Sequence, residues 1–488
     1  MKNFKISSIS LIPQLASSWI MLLTTVSIPV NTVQANDLYL KPSTANIDTI
    51  SNSTNQISIY NQLQKTLITQ NKPEAALEIS ERSHNGAFWE LLTSHKSNKI
   101  AISLSSEQIK QVAKQQNATI VQYSIINDEF VIAGKKQPQE SELLIWVIQP
   151  TGEIAFRQVN LKPLWQKENT SLNDLVAGSR TRIGARNRNN KGMIKVEPTK
   201  EFSSNKELLK LHEILIQPIA DLLPNQPDKH IIFIPQGDLF FVPFAALQDK
   251  KGQYLIEKHT IATAPSIQVL DLLYQRKQQN QGLVKDVLIV GNPIMPAKPF
   301  PGWEKPQEQH PLPGAEQEAK QIAEIFNTKA LTGNAATETT IVQKMPQAKI
   351  IHLATIALPN NEQGLDSALA LVPSGKDDGW LTSEEIQNLN LKAELVVLSG
   401  NDTAIGKVTN DGVIGLSRSF FTAGATSVIG SLWAVSDRET AFLMTEFYQE
   451  LSKNPDKAAA LRQTMLITMK KYPNPMSWAG FTLIGNSH

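Results

Sequence analysis

Two short apolar runs, Ala348-Lys-Ile-Ile-His-Leu-Ala-Thr355 and Ala393-Glu-Leu-Val-Val-Leu-Ser-Gly400, each lead straight into a position where chemistry would be expected. Runs of this length and composition read as buried strands of a parallel sheet, and such sheets gather reacting groups beyond their carboxyl ends. After the first run stands Ile356, which can neither accept nor donate a proton. After the second stands Asn401, a neutral amide and a poor nucleophile. Ser399 and Thr403 flank it and offer hydroxyls, but a hydroxyl attacks only with an activating base within hydrogen-bond reach. Asp402 is the only nearby acid in the sequence. His352 shares a strand face with position 356, yet at ~3.3 Å per residue it lies about 13 Å back inside the sheet, where a buried structural imidazole is the plainer reading. The chain has no cysteine, so thiolate nucleophiles, thiolate metal sites and disulfides are all excluded. Its 8 histidines show no metal-ligand spacing, and no glycine-rich stretch matches a phosphate loop, so no metal and no cofactor are expected.

The elements that would carry these positions alternate between strand and helix. Strands are expected at His230–Ile234, Lys285–Val290, Ala348–Leu353, Leu395–Leu398 and Ser427–Ser431. Helices are expected at Glu207–Leu222, Gly314–Phe326, Gly412–Thr422 (with Asp411 as its cap), Asp437–Leu451 and Lys457–Lys470. This spacing implies an α/β fold whose mainly parallel sheet is covered by helices on both faces.

Upstream, residues 1–35 have the build of an export signal: Lys2 and Lys5, an apolar stretch from Trp19 to Val30, then Val33-Gln34-Ala35 as a cleavage site. The stretch is about 12 residues, short of the roughly 20 that span a bilayer, so cleavage after Ala35 is expected, with an uncleaved anchor as the alternative. The protein is therefore expected to be exported. Residues 36–56 read as a flexible lead. Residues 57–103 carry a helical hairpin, with Ile59, Leu63, Leu67 and Ile68 on one face and Asn71-Lys-Pro73 as the turn. Residues 104–179 read as a small α+β region. Residues 180–206 form a basic linker with Arg180, Arg182, Arg186, Arg188 and Lys191. Leaving out Lys2 and Lys5, 45 basic residues face 45 acidic ones, and so neutral a body argues against nucleic-acid binding.

Residues 207–488 resemble the CHAT domain, a bacterial branch of the caspase- and separase-like cysteine peptidases. The resemblance rests on His352-Leu-Ala-Thr-Ile356-Ala357 and Leu398-Ser-Gly-Asn401-Asp402-Thr403-Ala404. Further matches are Phe233-Ile-Pro-Gln-Gly-Asp-Leu-Phe-Phe-Val-Pro-Phe244, Leu312-Pro-Gly-Ala-Glu316, Gly379-Trp-Leu-Thr-Ser-Glu-Glu-Ile386 and Trp478-Ala-Gly-Phe481. The family writes the first pair as His-Leu-Ala-Thr-His-Gly and Leu-Ser-Ala-Cys-Asp/Glu-Thr-Gly. The resemblance thus implies a caspase-like fold in which Ile356 stands for the catalytic histidine and Asn401 for the cysteine. Ala357 and Ala404 replace loop glycines. In a comparable nucleophile–base system, losing either member costs about 10⁶ in turnover. Family peptidases hold substrate as an extended strand beside the sheet. Asp366, Ser367, Asp402 and Thr403 occupy the positions that would line such a peptide groove, and Trp433 follows the last core strand. Residues 73–82 resemble the second helix of a tetratricopeptide repeat, although an array needs about three units and only one degenerate unit is visible. The resemblance implies a catalytically inactive pseudopeptidase that binds a peptide or protein, with an active CHAT relative as one candidate partner. The alternative is a peptidase that uses a non-cysteine nucleophile or groups supplied by a partner.

Overall fold

The computed structural model describes residues 48–84, 92, 104–132, 134–184, 206–297, 311–358, 367–375, 377–400, 403, 407–409 and 412–488. The chain divides into two units, Met1–Asn52 and Ser53–His488. Of the first, only residues 48–52 are described, as helix. The expected leader at 1–35 lies outside the described residues, among which no helix is long and apolar enough to cross a membrane.

Helices α1 (Asp48–Thr69) and α2 (Pro73–His84) form the expected hairpin, and Asn71 turns it at φ 58°. The helix begins inside the stretch expected as a flexible lead, because a nucleated helix propagates into neighbouring residues that would not start one. Its buried side is also rotated from the expected face. Ile59 is exposed, while Asn61 and Gln64 are buried.

Helix α3 (Ser106–Gln116) starts at a capping box on Ser105 and ends at Asn117 in the left-handed region. Strands β1 (Ala118–Ile132), β2 (Lys135–Ile148) and β3 (Ile154–Asn160) follow as an antiparallel meander. The sequence gives no hint of what they join. β1 pairs in parallel with β4 (His230–Ile234), so this α+β region extends the same sheet as the strands downstream. Helix α4 (Leu172–Ile183) runs into the stretch expected as linker. There Arg182 pairs with Glu207, and Arg180 donates to the Leu432 carbonyl at 2.6 Å.

Helix α5 (Lys206–Leu215) yields to a 3₁₀ turn at Gln217–Leu222, where Pro218 cannot donate to continue the helix expected over 207–222. Beyond β4 come β5 (Thr260–Thr263), α6 (Ile267–Asn280), β6 (Asp286–Pro293), α7 (Pro313–Ile325), β7 (Leu331–Gly333) and β8 (Ala348–Ala354). A separate three-stranded antiparallel sheet then forms from β9 (Ala357–Leu358), β10 (Ala368–Ala370) and β11 (Trp380–Thr382). Next come β12 (Leu395–Leu398), a hairpin of β13 (Lys407–Thr409) and β14 (Gly412–Ile414), and α8 (Leu416–Ala423). They are followed by β15 (Ser427–Ser431), α9 (Asp437–Lys453), α10 (Lys457–Lys471) and β16 (Phe481–Gly485). The helix expected at 412–422 therefore starts four residues later, with Gly415 as its N-cap. Val413 and Ile414 are β-branched and pair with Val408 and Lys407 instead.

The main sheet has eleven strands in the order β3-β2-β1-β4-β5-β16-β15-β12-β8-β6-β7. Its core strands send alternate residues to opposite faces. Val290, Ile351, Leu353, Val396, Leu398 and Val428 pack with Val269, Leu273, Phe420 and Phe421 of α6 and α8. Ile289, Leu395, Val397 and Ile429 pack with Ala319, Ile322, Leu443 and Phe447 of α7 and α9. Helices cover both faces, and each fully buried aliphatic side chain adds about 1.5–3 kcal/mol of hydrophobic stabilisation.

Candidate functional site

β8 and β12 are parallel neighbours, with Val397 opposite His352 and Leu398 opposite Leu353. Ser399 N donates to the Leu353 carbonyl at 2.9 Å, so the pairing continues past the last strand residue. A Cβ on Gly400 would fall well inside contact distance of the Thr355 carbonyl oxygen. The residues just before positions 356 and 401 are thus pressed together, and glycine is what allows it.

After Ala354 the chain leaves the main sheet. Thr355 Oγ1 donates to the Ala370 carbonyl at 2.6 Å, and Ala370 N donates to the Ile356 carbonyl at 2.9 Å. These bonds turn the backbone into β9 and fix where the side chain of residue 356 sits. Ile356 is partly buried against Ala368, Ala370 and Trp380, with Met295 and Leu358 beside it. It serves as packing in the small sheet and presents no group that could exchange a proton.

The hydroxyls at the end of β12 are nearly all engaged. Thr403 is buried. Its Oγ1 donates to the Leu398 carbonyl at 2.9 Å and accepts from Ser431 N at 2.8 Å. Ser431 Oγ accepts from Thr403 N at 3.1 Å and donates to the Gly400 carbonyl. These reciprocal bonds tie the loop after β12 to the end of β15 and leave neither hydroxyl available to attack. Ser399 differs: it is buried, and its Oγ has no hydrogen-bond partner among the described residues.

Asn401, at the expected nucleophile position, and two of the positions expected to line a groove, Asp366 and Asp402, lie outside the described residues. Ser367 is wholly buried, and its carbonyl accepts from Ser383 N at 2.7 Å. Trp433 is core: it is 1% exposed, and its indole donates to the Met476 carbonyl at 3.0 Å.

His352 is structural, in a setting that sequence spacing could not show. It is fully buried, with Nδ1 3.2 Å from Tyr448 Oη and Nε2 2.9 Å from Glu318 Oε1. The Glu318 contact is close enough for an ion pair but not aligned as a hydrogen bond. The Tyr448 phenol is pushed well above its usual range by burial first and by the Glu318 carboxylate second. Helices α7 and α9 bring Glu318 and Tyr448 to the histidine across 34 and 96 residues of sequence.

A second acid supports the small sheet. Glu338 accepts from Gly379 N at 2.8 Å, just before Trp380. Burial pushes its carboxyl up to about 7. The Gly379 N–H opposes that shift, and the charges of Glu385, Asp377 and Asp378 add to it.

The sequence matches the CHAT domain family over residues 205–486, more than half of the chain. The chain belongs to the CHAT domain family. Curated relatives include tetratricopeptide repeat protein 28 of Mus musculus, 28% identical over 322 residues, or 57% of this chain. The Homo sapiens protein of the same name is 28% identical over 341 residues, or 59% of this chain. The chain spans 13% of the length of each of these relatives. Among solved structures, the Saccharomyces cerevisiae separase in its complex with securin aligns over 91% of this chain and 38% of its own, at 13% identity and a TM-score of 0.46. The Arg-specific cysteine proteinase gingipain R aligns over 58% of this chain and 68% of its own, at 10% identity and a TM-score of 0.35. Within the CHAT domain, the two strand ends described above are those that carry the His352–Ala357 and Leu398–Ala404 motifs.

Proposed function

We propose that this CHAT domain is a pseudopeptidase: a peptidase fold that binds a peptide or protein partner without cleaving it. The observation that carries the reading is Ile356. At the position where the family motif places its proton-handling histidine, an aliphatic side chain is packed against Ala368, Ala370 and Trp380. The engaged hydroxyls of Thr403 and Ser431 support it, because a substitute nucleophile needs a free hydroxyl and a base. Asn401, at the family's cysteine position, supplies no thiolate. The partner is a protein or peptide segment, with an active CHAT relative as one candidate. The hairpin of α1 and α2 is the remnant of a repeat, a reading supported by the repeat-bearing relatives. The chain is exported, with a leader removed after Ala35. Amino-terminal sequencing of the protein recovered from its native cells should begin at Asn36, and a start at Met1 sinks that part.

The test of inactivity is mass spectrometry of a broad peptide library incubated with folded, purified protein. No cleavage above background is expected. A second reading, a peptidase with an unusual nucleophile, draws on the Ser399 hydroxyl, which has no partner among the described residues. Cleavage that disappears in Ser399→Ala would replace the first reading with the second.

A further inference from the structure

Three residues from distant parts of the chain meet where no motif announces them. His230 is the first residue of β4, Asp456 caps α10, and His488 follows β16. Their two imidazole nitrogens and one carboxylate oxygen lie within 4.8 Å of one another. His230 Nε2 is 2.8 Å from Asp456 Oδ2, and His488 Nδ1 is 3.4 Å from the same oxygen.

The other polar atom of each residue is already held. His230 Nδ1 meets Ser487 Oγ at 2.9 Å, His488 Nε2 meets the Gln116 carbonyl oxygen at 2.8 Å, and Asp456 Oδ1 accepts from Ala459 N at 2.9 Å. A carbonyl oxygen can only accept, so His488 Nε2 carries a proton there. Where Nδ1 carries no proton, its lone pair faces a carboxylate oxygen, and two facing acceptors need a proton or a cation between them. His230 can offer a lone pair as well, since the Ser487 hydroxyl accepts as readily as it donates and can take the proton of Nδ1. Imidazoles whose far nitrogen is fixed by a carbonyl or hydroxyl have the outer shell usual for metal-ligating histidines.

We propose that His230, Asp456 and His488 bind one divalent transition-metal ion of the Zn²⁺ type, which fastens the segment after β16 to the starts of β4 and α10. Two imidazoles and a carboxylate suit such an ion, with water completing the shell. Lys277 and Lys457 both donate to the His488 carbonyl oxygen, Lys277 at 2.8 Å. Mg²⁺ and Ca²⁺ are held mainly by charged oxygens, whereas two imidazoles favour an ion of the Zn²⁺ type. The rings of His230 and His488 stack with centroids 4.3 Å apart and planes 15° apart, so one ion reaches both lone pairs only after a ring tilts. His488 is the ring with room to tilt, its side chain being 39% exposed against 2% for His230.

The experiment takes the full chain, strips it with chelator and titrates it with Zn²⁺ by calorimetry at pH 7.5, then with Co²⁺ by visible absorption. One ion per chain, a raised melting midpoint and Co²⁺ bands of nitrogen–oxygen coordination are expected. His488→Ala and Asp456→Asn should each weaken binding by about tenfold or more. Asn still caps a helix and His488 is half exposed, so both variants should fold, which circular dichroism checks. Absence of stoichiometric binding, or unchanged binding in both variants, overturns the site. A melting midpoint that follows pH but ignores Zn²⁺ also overturns it, since a proton would then bridge His488 and Asp456.

Discussion

The ends of β8 and β12 and the cluster at the start of β4 are opposites. The first carries the densest family motif in the chain, yet its side chains are engaged in holding the structure. Ile356 packs, Thr403 and Ser431 bond to each other and to backbone, and His352 sits behind them with Glu318 and Tyr448. The second carries no motif, yet two imidazoles and a carboxylate from distant parts of the chain meet there within 4.8 Å. The contrast shows how little residue type says about reactivity without the partners. A hydroxyl with both of its bonds made is structure, whereas two imidazoles grouped with a carboxylate are the donor set of a metal site.

Four variants probe the first region and the small sheet beside it, in falling order of effect. Trp380→Ala removes the largest side chain of the cluster around Ile356 and should destabilise by about 3–5 kcal/mol in a denaturant melt. A loss under 1 kcal/mol would mean that this packing does not hold the small sheet. Ser431→Ala strips the Gly400 carbonyl and Thr403 N of their partner and should cost about 2 kcal/mol. The double change Ile356→His with Asn401→Cys restores the family residues, but it places an imidazole in an apolar cluster. It should lose about 1–2 kcal/mol and yield no cleavage of the peptide library. Turnover from that variant would show the surrounding loops to be competent after all.

The fourth concerns pH. The Glu338 carboxyl is raised to about 7, so the folded protein holds that proton more tightly than the unfolded chain does. The stability that Glu338 contributes is therefore complete below its unfolded value near 4.5 and is lost as pH rises to about 7. Glu338→Gln keeps an acceptor for Gly379 N and should flatten the fall over that window, gaining about 1 kcal/mol at pH 8. An unchanged slope would place the proton elsewhere.

Much of the core was legible in advance for a local reason. The expected and observed bounds of β4 and β12 coincide, because strands buried on both faces are nearly continuous apolar runs with abrupt ends. The segment 412–422 departs from the expected helix because Asp411-Gly412 imitates a helix start, whereas α8 begins at Gly415 without a side-chain cap. Arg180 looked like part of a solvated linker because its partner, the Leu432 carbonyl, is 252 residues away. The buried face of α1 differs from the expected one because hydrophobic periodicity ignores Asn61 and Gln64, which are buried.

The family, the parallel α/β core and the identities Ile356 and Asn401 are legible without coordinates, since they depend on local pattern and on which atoms each side chain has. Tertiary structure alone decided that β1 extends the main sheet, that Glu318 and Tyr448 close on His352, and that His230, Asp456 and His488 share one point. Each of these depends on contacts between residues far apart in the chain. Those contacts are set by strand register and helix docking, which no local pattern encodes.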